Sequence, residues 1–426
     1  MSFAGRALAL PLPLPLPPSD CEQAPTLRIG TALDDQILDG LVNAAGDILI
    51  GGYENGQLGI ENDWPVGNSR GFVELRRADG SLAWRHIVDT AGIDTVEALA
   101  YTPEGLIAVT GRTSGALPGF SNAGQLDVFI MLLSPDGERL STLQVGDARP
   151  QRPTDLVSLA SGELVVVGYD DNYVEGGALI DWENGILLRI AQDANQQLRL
   201  VHWLRSRLPE PDRIYSVAAA EQGSADVLIA SHRNTSARLG GGAYVQRIGA
   251  GGDQVWQRVL GAHPADALTR LQSDSAGRVF AAGSFLSALG GAGSGSSEAV
   301  LLRLAPDNGD TIWARRIGYL DPDWLSSLAI DGEGDLHVAG IATPIEDVDQ
   351  EIQRSYVFGA RYNVRGRRLN LWSSQPAAAQ RLDIKVSVLP GRCPDLPRVG
   401  VSINGDLGNS PTRGRFDGVI STADVL

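Results

Sequence analysis

Seven copies of one pattern run along the chain, and two marks measure out most of them. In five copies an Asp precedes a Gly by eleven residues: Asp35 and Gly46, Asp94 and Gly105, Asp212 and Gly223, Asp266 and Gly277, Asp323 and Gly334. A second Gly follows six residues later in most copies, at Gly52, Gly111, Gly168, Gly283 and Gly340. A period of this length means one small unit per copy, each burying its apolar surface against its neighbours. The positions Gly52, Gly111, Gly168, Ser231, Gly283, Gly340 and Ile403 lie 52 to 63 residues apart. That spread is too wide for a solenoid of identical coils. It suits a β-propeller, whose blades share a framework and differ in loop length.

Four short apolar runs recur inside each copy. The first reads DTVEALA at 94–100 and DWLSSLAI at 323–330. In the second, Ile48 and Ile50, Leu164 and Val166, or Leu336 and Val338 stand at alternate positions, the period of a strand with two distinct faces. The third reads GFVELRR, DVFIMLL, AVLLRLA and YVFGARY; the fourth often carries a Trp, as in SLAWRHI, QVWQRVL, TIWARRI and LNLWSSQ. Turns such as Pro103-Glu104-Gly105 and Asp307-Asn308-Gly309 separate the runs, with residues that accept positive φ or bond their own backbone. No stretch shows a 3.6-residue apolar period. The expected fold is all-β: a seven-bladed β-propeller of four-stranded antiparallel blades.

The seventh copy stops at Leu426 without its fourth run. Residues 26–30 (TLRIG) sit just ahead of Asp35, as Trp313 to Gly318 sit ahead of Asp323, so they are expected to supply the missing outermost strand and to close the ring. This gives two segments: a Pro-rich leader or disordered tail over 1–25, and one propeller over 26–426. Cys21 and Cys393, the two cysteines, would then fall in the same blade. A disulfide between them would close a very long loop, worth roughly 4–5 kcal/mol in the chain-entropy model. Two unrelated free thiols are the other reading.

Formal net charge is -16, and Lys385 is the only Lys. An acidic surface argues against nucleic acid and anionic membrane as partners. No apolar run is long enough to span a bilayer, so no transmembrane segment is expected. Residues 1–20, MSFAGRALALPLPLPLPPSD, fit either an atypical signal peptide or a polyproline-like tail. The cysteine pair favours a secreted or cell-envelope location, and a cytoplasmic one stays open.

TSGALPGFSNAGQLDVFIMLLSPDGERL at 113–140, followed by Gly146-Asp147, resembles the bacterial SBBP-type β-propeller repeat, and residues 297–343 resemble it as well. Copies two, five and six fit best. Copies three, four and seven depart, with Ser231 and Ile403 in place of the strand-ending Gly. The resemblance implies a seven-bladed propeller on a bacterial envelope or secreted protein. It carries no shared catalytic residues.

Chemistry is sparse. His86, His202, His232, His263 and His337 show no metal-ligand spacing, so any metal is left unassigned and no cofactor is expected. The Gly-rich stretch 291–295 opens no helix and reads as a loop, not a phosphate cradle. The recurring Asp residues could form a negative ring at one mouth of the channel. The favoured reading is that each accepts backbone N–H bonds and ties adjacent blades. Strand-four Trp84, Trp256, Trp313 and Trp372 are read as packing between blades.

Long links join the second and third strands in every copy, and they share one face with the blade-to-blade links. Long loops on a rigid scaffold are the usual place for a site. Trp64, Trp182 and Trp324 lie there off the framework, with Asp63, Asp170, Asp171 and Glu183 near them in sequence, and these seven residues are the candidate ligand-binding set. Aromatic plus acidic side chains suit sugars, cationic groups or a protein. The leading expectation is a monomeric, non-enzymatic binding, adhesion or scaffold module that takes a protein or glycan on the loop face. The alternative is a polysaccharide-acting hydrolase or lyase with acidic residues in the axial pocket, which requires a carboxylate pair suited to acid/base work.

Overall fold

The computed structural model describes residues 27–31, 33–58, 65–170, 184–206, 212–233, 242–261, 263–286, 297–317, 323–342, 356–373, 381–389, 398–404 and 417–422. Every regular element among them is a β-strand. Six four-stranded antiparallel blades stand in a ring, a β-propeller. Blade 1 comprises Asp34–Val42, Ile48–Leu58, Arg70–Arg76 and Leu82–Val88, and Pro65–Val66 adds a short pairing to its second strand. Blade 2 is Asp94–Tyr101, Ile107–Thr113, Asp127–Leu133 and Arg139–Val145; blade 3 is Gln151–Ser158, Leu164–Asp170, Asn184–Gln192 and Leu198–Arg205. Blade 4 is Asp212–Ala219, Val227–Arg233, Gly242–Ile248 and Gln254–Val259; blade 5 is Ala267–Ser273, Val279–Phe285, Glu298–Leu304 and Thr311–Arg316. Blade 6 is Asp323–Ile330, Leu336–Ala342, Tyr356–Tyr362 and Arg368–Ser373. Four further segments pair in the order Leu27–Ile29, Asp417–Thr422, Arg398–Asn404, Arg381–Leu389, with Leu27 opposite Ile420 and Ile29 opposite Gly418.

The core lies between blades rather than inside any one. One cluster joins Ala98, Val128 and Ile130 of blade 2 to Leu156, Val166 and Leu188 of blade 3. Another joins Ala230 and Val245 of blade 4 to Leu271, Ala281 and Leu302 of blade 5. A sheet covered on both faces needs apolar side chains on both. That is why DVFIMLL is buried along its whole length, while the outermost QVWQRV is exposed or half-buried.

Each first strand carries a β-bulge. Register shifts fall between Ile37 and Asp39, Val96 and Ala98, Pro153 and Asp155, Ile214 and Ser216, Leu268 and Arg270, and Leu325 and Ser327. The recurring strand-ending Gly stands opposite the residue before each bulge, and the bulged backbone approaches it closely. A Cβ on Gly111 would lie 2.0 Å from the Thr95 carbonyl oxygen, and one on Gly340 would lie 1.9 Å from that of Trp324. At Gly111 and Gly340 only a residue without a side chain fits. Blade 4 holds Ser231 at this place, opposite Ile214.

A bulge turns backbone groups out of the ladder, and they need other partners. In blades 1, 3, 4 and 6 a polar side chain at the residue after the bulge supplies one, and it reaches across to the next segment of the ring. Asp39 Oδ1 accepts the Gly40 amide at 2.9 Å and Oδ2 accepts the Leu99 amide of blade 2 at 2.8 Å. Asp155 accepts the Leu156 amide at 2.9 Å, the Val217 amide of blade 4 at 3.0 Å and the Ser216 hydroxyl. Ser216 Oγ in turn accepts the Leu271 amide of blade 5 at 3.0 Å. Ser327 of blade 6 does the same for Val388, at 2.9 Å.

The outer edge is tied in the same sense. Trp84 donates its Nε1 hydrogen to the Pro135 carbonyl of blade 2 at 2.8 Å, and Trp313 to the Val364 carbonyl of blade 6 at 3.3 Å. Each ring lies against the Gly of the next blade's outer turn. A Cβ on Gly137, whose φ is 82°, would come within 2.5 Å of the Trp84 indole. These tryptophans pack between blades, as their recurrence predicts.

Candidate functional site

Geometry decides what the recurring aspartates do. Asp94 accepts the Thr90 amide at 2.6 Å and the Thr90 hydroxyl at 2.8 Å. Asp35 accepts the Thr31 amide and, at 2.9 Å, the amide of Asn55 in the second strand of its own blade. Asp266 accepts the His263 amide at 2.9 Å and the Leu286 amide at 2.7 Å. Asp94 and Asp266 each hold a blade-to-blade link, Asp266 also fastens it to the second-to-third-strand link of its own blade, and Asp35 fastens the segment ahead of blade 1 to that blade's second strand. Among the described residues, no group of three His, Cys, Asp or Glu is arranged to hold a metal ion.

Of the candidate ligand-binding residues, Trp324 and Asp170 are described; Trp64, Trp182, Asp63, Asp171 and Glu183 lie outside the described residues, as do Cys21 and Cys393. Trp324 is 40% exposed at the start of blade 6. Asp170 ends the second strand of blade 3 and is fully buried. The two are on different blades and do not meet. Asp170 works inside an ion-pair network: it accepts from Arg205 Nε and, at 3.0 Å, from Asn184 Nδ2.

That network floors a pocket on the loop face. About 540 Å³ in volume, it is lined by Arg149, Asn184, Trp203, Arg205 and Ser206. Strand ends and a blade-to-blade link build it: Asn184 opens the third strand, Arg205 closes the fourth, and Arg149 comes from the link between blades 2 and 3. The Arg205 guanidinium lies over the Trp203 ring, 4.6 Å from its centroid, and also reaches Asp147 at 2.6 Å. Arg149 approaches Asp170 only to 3.7 Å, beyond hydrogen-bonding distance. Ser206 Oγ accepts the Gly185 amide at 2.9 Å and bonds Asp212, whose carboxyl burial pushes up to about 6, against the pull of Arg233 and of Ser206 itself.

A second cavity, of about 840 Å³, occupies the axis and reaches the tight turns of the opposite face, at Asn43, Ala44 and Gly46 of blade 1 and Asp331 and Gly332 of blade 6. Asp39, Asp155 and Arg270, which take the position after the bulge in blades 1, 3 and 5, line it. Burial pushes the Asp39 carboxyl up to about 6; Arg270 opposes the shift and Asp155 adds to it. Burial raises Asp155 as well, against Arg270 and its hydrogen bonds.

Sequence reasoning did not single out Arg149, Trp203 or Arg205. Trp203 pairs with Leu188, whereas the framework residues Trp256 and Trp313 pair with Arg247 and Arg303 just before a register shift, a place that His202 takes in blade 3. Trp203 therefore sits one residue past the framework position, and that offset is the signal available in the sequence.

No protein-family model matches the chain, and no curated protein matches it. Solved structures resemble its fold at low identity. A protein of unknown function from Bacteroides caccae aligns with a TM-score of 0.41 at 10% identity, over 75% of this chain and 92% of that one. A protein of unknown function from Dyadobacter fermentans aligns at 0.45 and 10% identity, over 94% and 99%. Sqt1 from Chaetomium thermophilum aligns at 0.48 and 12% identity, over 95% and 99%.

Proposed function

We propose that this chain is a non-enzymatic binding module whose ligand, a protein or glycan, docks on the loop face. The observation that carries the reading is the blade 3 pocket, where an indole, two guanidinium groups and an amide converge on that face. Aromatic walls with a few placed polar groups are the usual make-up of a recognition site. A screen against glycans, cell-wall fragments and extracellular proteins tests it. Binding that is lost when Trp203 is replaced, with the melting temperature held, supports the reading; a ligand that contacts only the tight-turn face sinks it.

The same proposal includes a seventh blade, made of Arg381–Leu389, Arg398–Asn404 and Asp417–Thr422, with the N-terminal strand as its outermost member. Support comes from the antiparallel pairing of Leu27–Ile29 with Asp417–Thr422. Further support comes from the two neighbours of Arg381–Leu389: Val388 bonds Ser327 of blade 6, and Leu389 packs with Ile37 and Ile50 of blade 1. Deleting residues 1–30 should lower the melting temperature far more than deleting 1–20, and equal melts would remove strand closure. A secreted or envelope location and membership of the SBBP-type repeats belong to this reading. Thiol counting on denatured protein from an oxidising compartment tests the Cys21–Cys393 bond, which predicts no free thiol.

One observation favours the enzymatic alternative, a polysaccharide hydrolase or lyase: two carboxylates with raised pKa line the axial cavity. Against it, both Asp39 and Asp155 already accept backbone amides through each of their oxygens. Turnover of any polysaccharide that Asp155→Asn abolishes without unfolding the ring would establish it.

A further inference from the structure

We propose that the blade 3 pocket recognises a carboxylated saccharide, a uronic acid unit, through Arg149. The inference rests on the loop-face reading above and names its ligand class. In a chain of net charge -16, the cations at this place stand out. Arg205 is occupied: its Nε serves Asp170 and its Nη2 serves Asp147. Arg149 is not saturated. Its side chain is 41% exposed and lines the pocket, and its contact with Asp170 is a 3.7 Å ion pair. A guanidinium in that state offers a planar fork of N–H donors, and a carboxylate matches that fork in two parallel bonds.

Shape favours a sugar over an acidic peptide. The Arg205 guanidinium, stacked over the Trp203 ring, lines the pocket as a flat plane, a surface against which a pyranose ring packs. Asn184 has its Nδ2 on Asp170, which leaves its Oδ1 as an acceptor for a sugar hydroxyl. Hydroxyl acceptor, flat wall and carboxylate fork together match one uronate residue. The cavity volume falls within the range usual for small-ligand sites.

Titration calorimetry on the full chain tests this with trigalacturonate and with the same trisaccharide after its carboxyls are reduced to alcohols. The acidic sugar is expected to bind at least about tenfold more tightly, with an advantage that shrinks as salt rises. Arg149→Gln should bring its affinity down to that of the neutral sugar while the melting temperature stays put, and Arg149→Lys should restore part of the preference. Equal affinity for the two sugars overturns the proposal and leaves a loop-face saccharide site standing. Tighter binding of a hexaglutamate peptide, also lost in Arg149→Gln, overturns it in favour of a protein partner. Undiminished trigalacturonate binding by Arg149→Gln overturns it too. If none of the three probes binds, the acid recognition fails, and the wider glycan and protein screen decides the loop-face reading by itself.

Discussion

The axial layer and the blade 3 pocket both set arginine beside aspartate, but they hold those charges in opposite ways. On the axis, Asp39 and Asp155 are fastened to main-chain amides of their own and the next blade. They answer a need the backbone creates, since each bulge leaves an amide that must be paired. In the pocket, Asp170 is fastened to side chains, and a second guanidinium on Arg149 lies within reach without being bonded. A charge tied to the backbone serves folding. A charge tied loosely to other side chains remains available to a ligand. The difference separates scaffold from site more sharply than burial does, because Asp170 is fully buried whereas Asp39 is half-buried at the wall of the axial cavity.

Substitutions can break that distinction. The largest loss is expected from the framework: Trp313→Ala should cost about 3 kcal/mol in denaturant unfolding, because it removes a large ring and its bond to blade 6. Next, Asp155→Ala should cost about 2 kcal/mol, since it strands two amides and a hydroxyl. A stability change near zero there would mean that the axial carboxylates are not structural, and would move them toward the enzymatic reading.

The third expectation concerns pH. Asp39 and Asp212 each titrate near 6 in the folded chain against an ordinary 3.8. Between those values the folded state binds more protons than the unfolded one, so their contribution is fully present below about pH 4 and is lost as pH rises through about 6. Asp39→Asn should flatten that part of the stability curve. An unchanged slope between pH 4 and 6 would show that Asp39 is solvated. The smallest effect belongs to the loop face: Trp324→Ala and Arg149→Gln should each shift stability by no more than about 0.5 kcal/mol. If either matches Trp313→Ala, it is packing and not recognition.

Much of this was legible beforehand. The Asp–Gly spacing marks the start of the first strand and the turn that follows it, because a tight turn needs positive φ and those glycines have it, as at Gly105 with 80°. The reading of Asp94 and Asp266 as link-holding acceptors also follows, since a mark repeated in most copies serves the framework. What stayed hidden is what only convergence creates. Asp39, Asp155 and Arg270 are isolated letters in three copies until the bulges bring them to one cavity. Likewise Arg149, Trp203 and Arg205 are distributed over a link and a fourth strand, and no period joins them. Asp170 stands out in the sequence for its acidity beside aromatics, but Arg205, Asn184 and Arg149 surround its carboxylate, which weighs against cationic groups among the ligands expected there.

The direction of the bulge contacts has its own consequence. Asp39 to Leu99, Asp155 to Val217, Ser216 to Leu271 and Ser327 to Val388 all run from one chain segment forward to the next, never back. Each blade thus meets its two neighbours with different surfaces, as subunits do in a head-to-tail cyclic oligomer. Such an interface has no built-in stopping number; the rotation accumulated per contact decides when the array meets its own beginning. Gene duplication could therefore lengthen the array by whole units without inventing a new contact. By the same logic an isolated blade, or a truncated array, carries one donor surface and one acceptor surface unsatisfied, and is poised to polymerise with copies of itself.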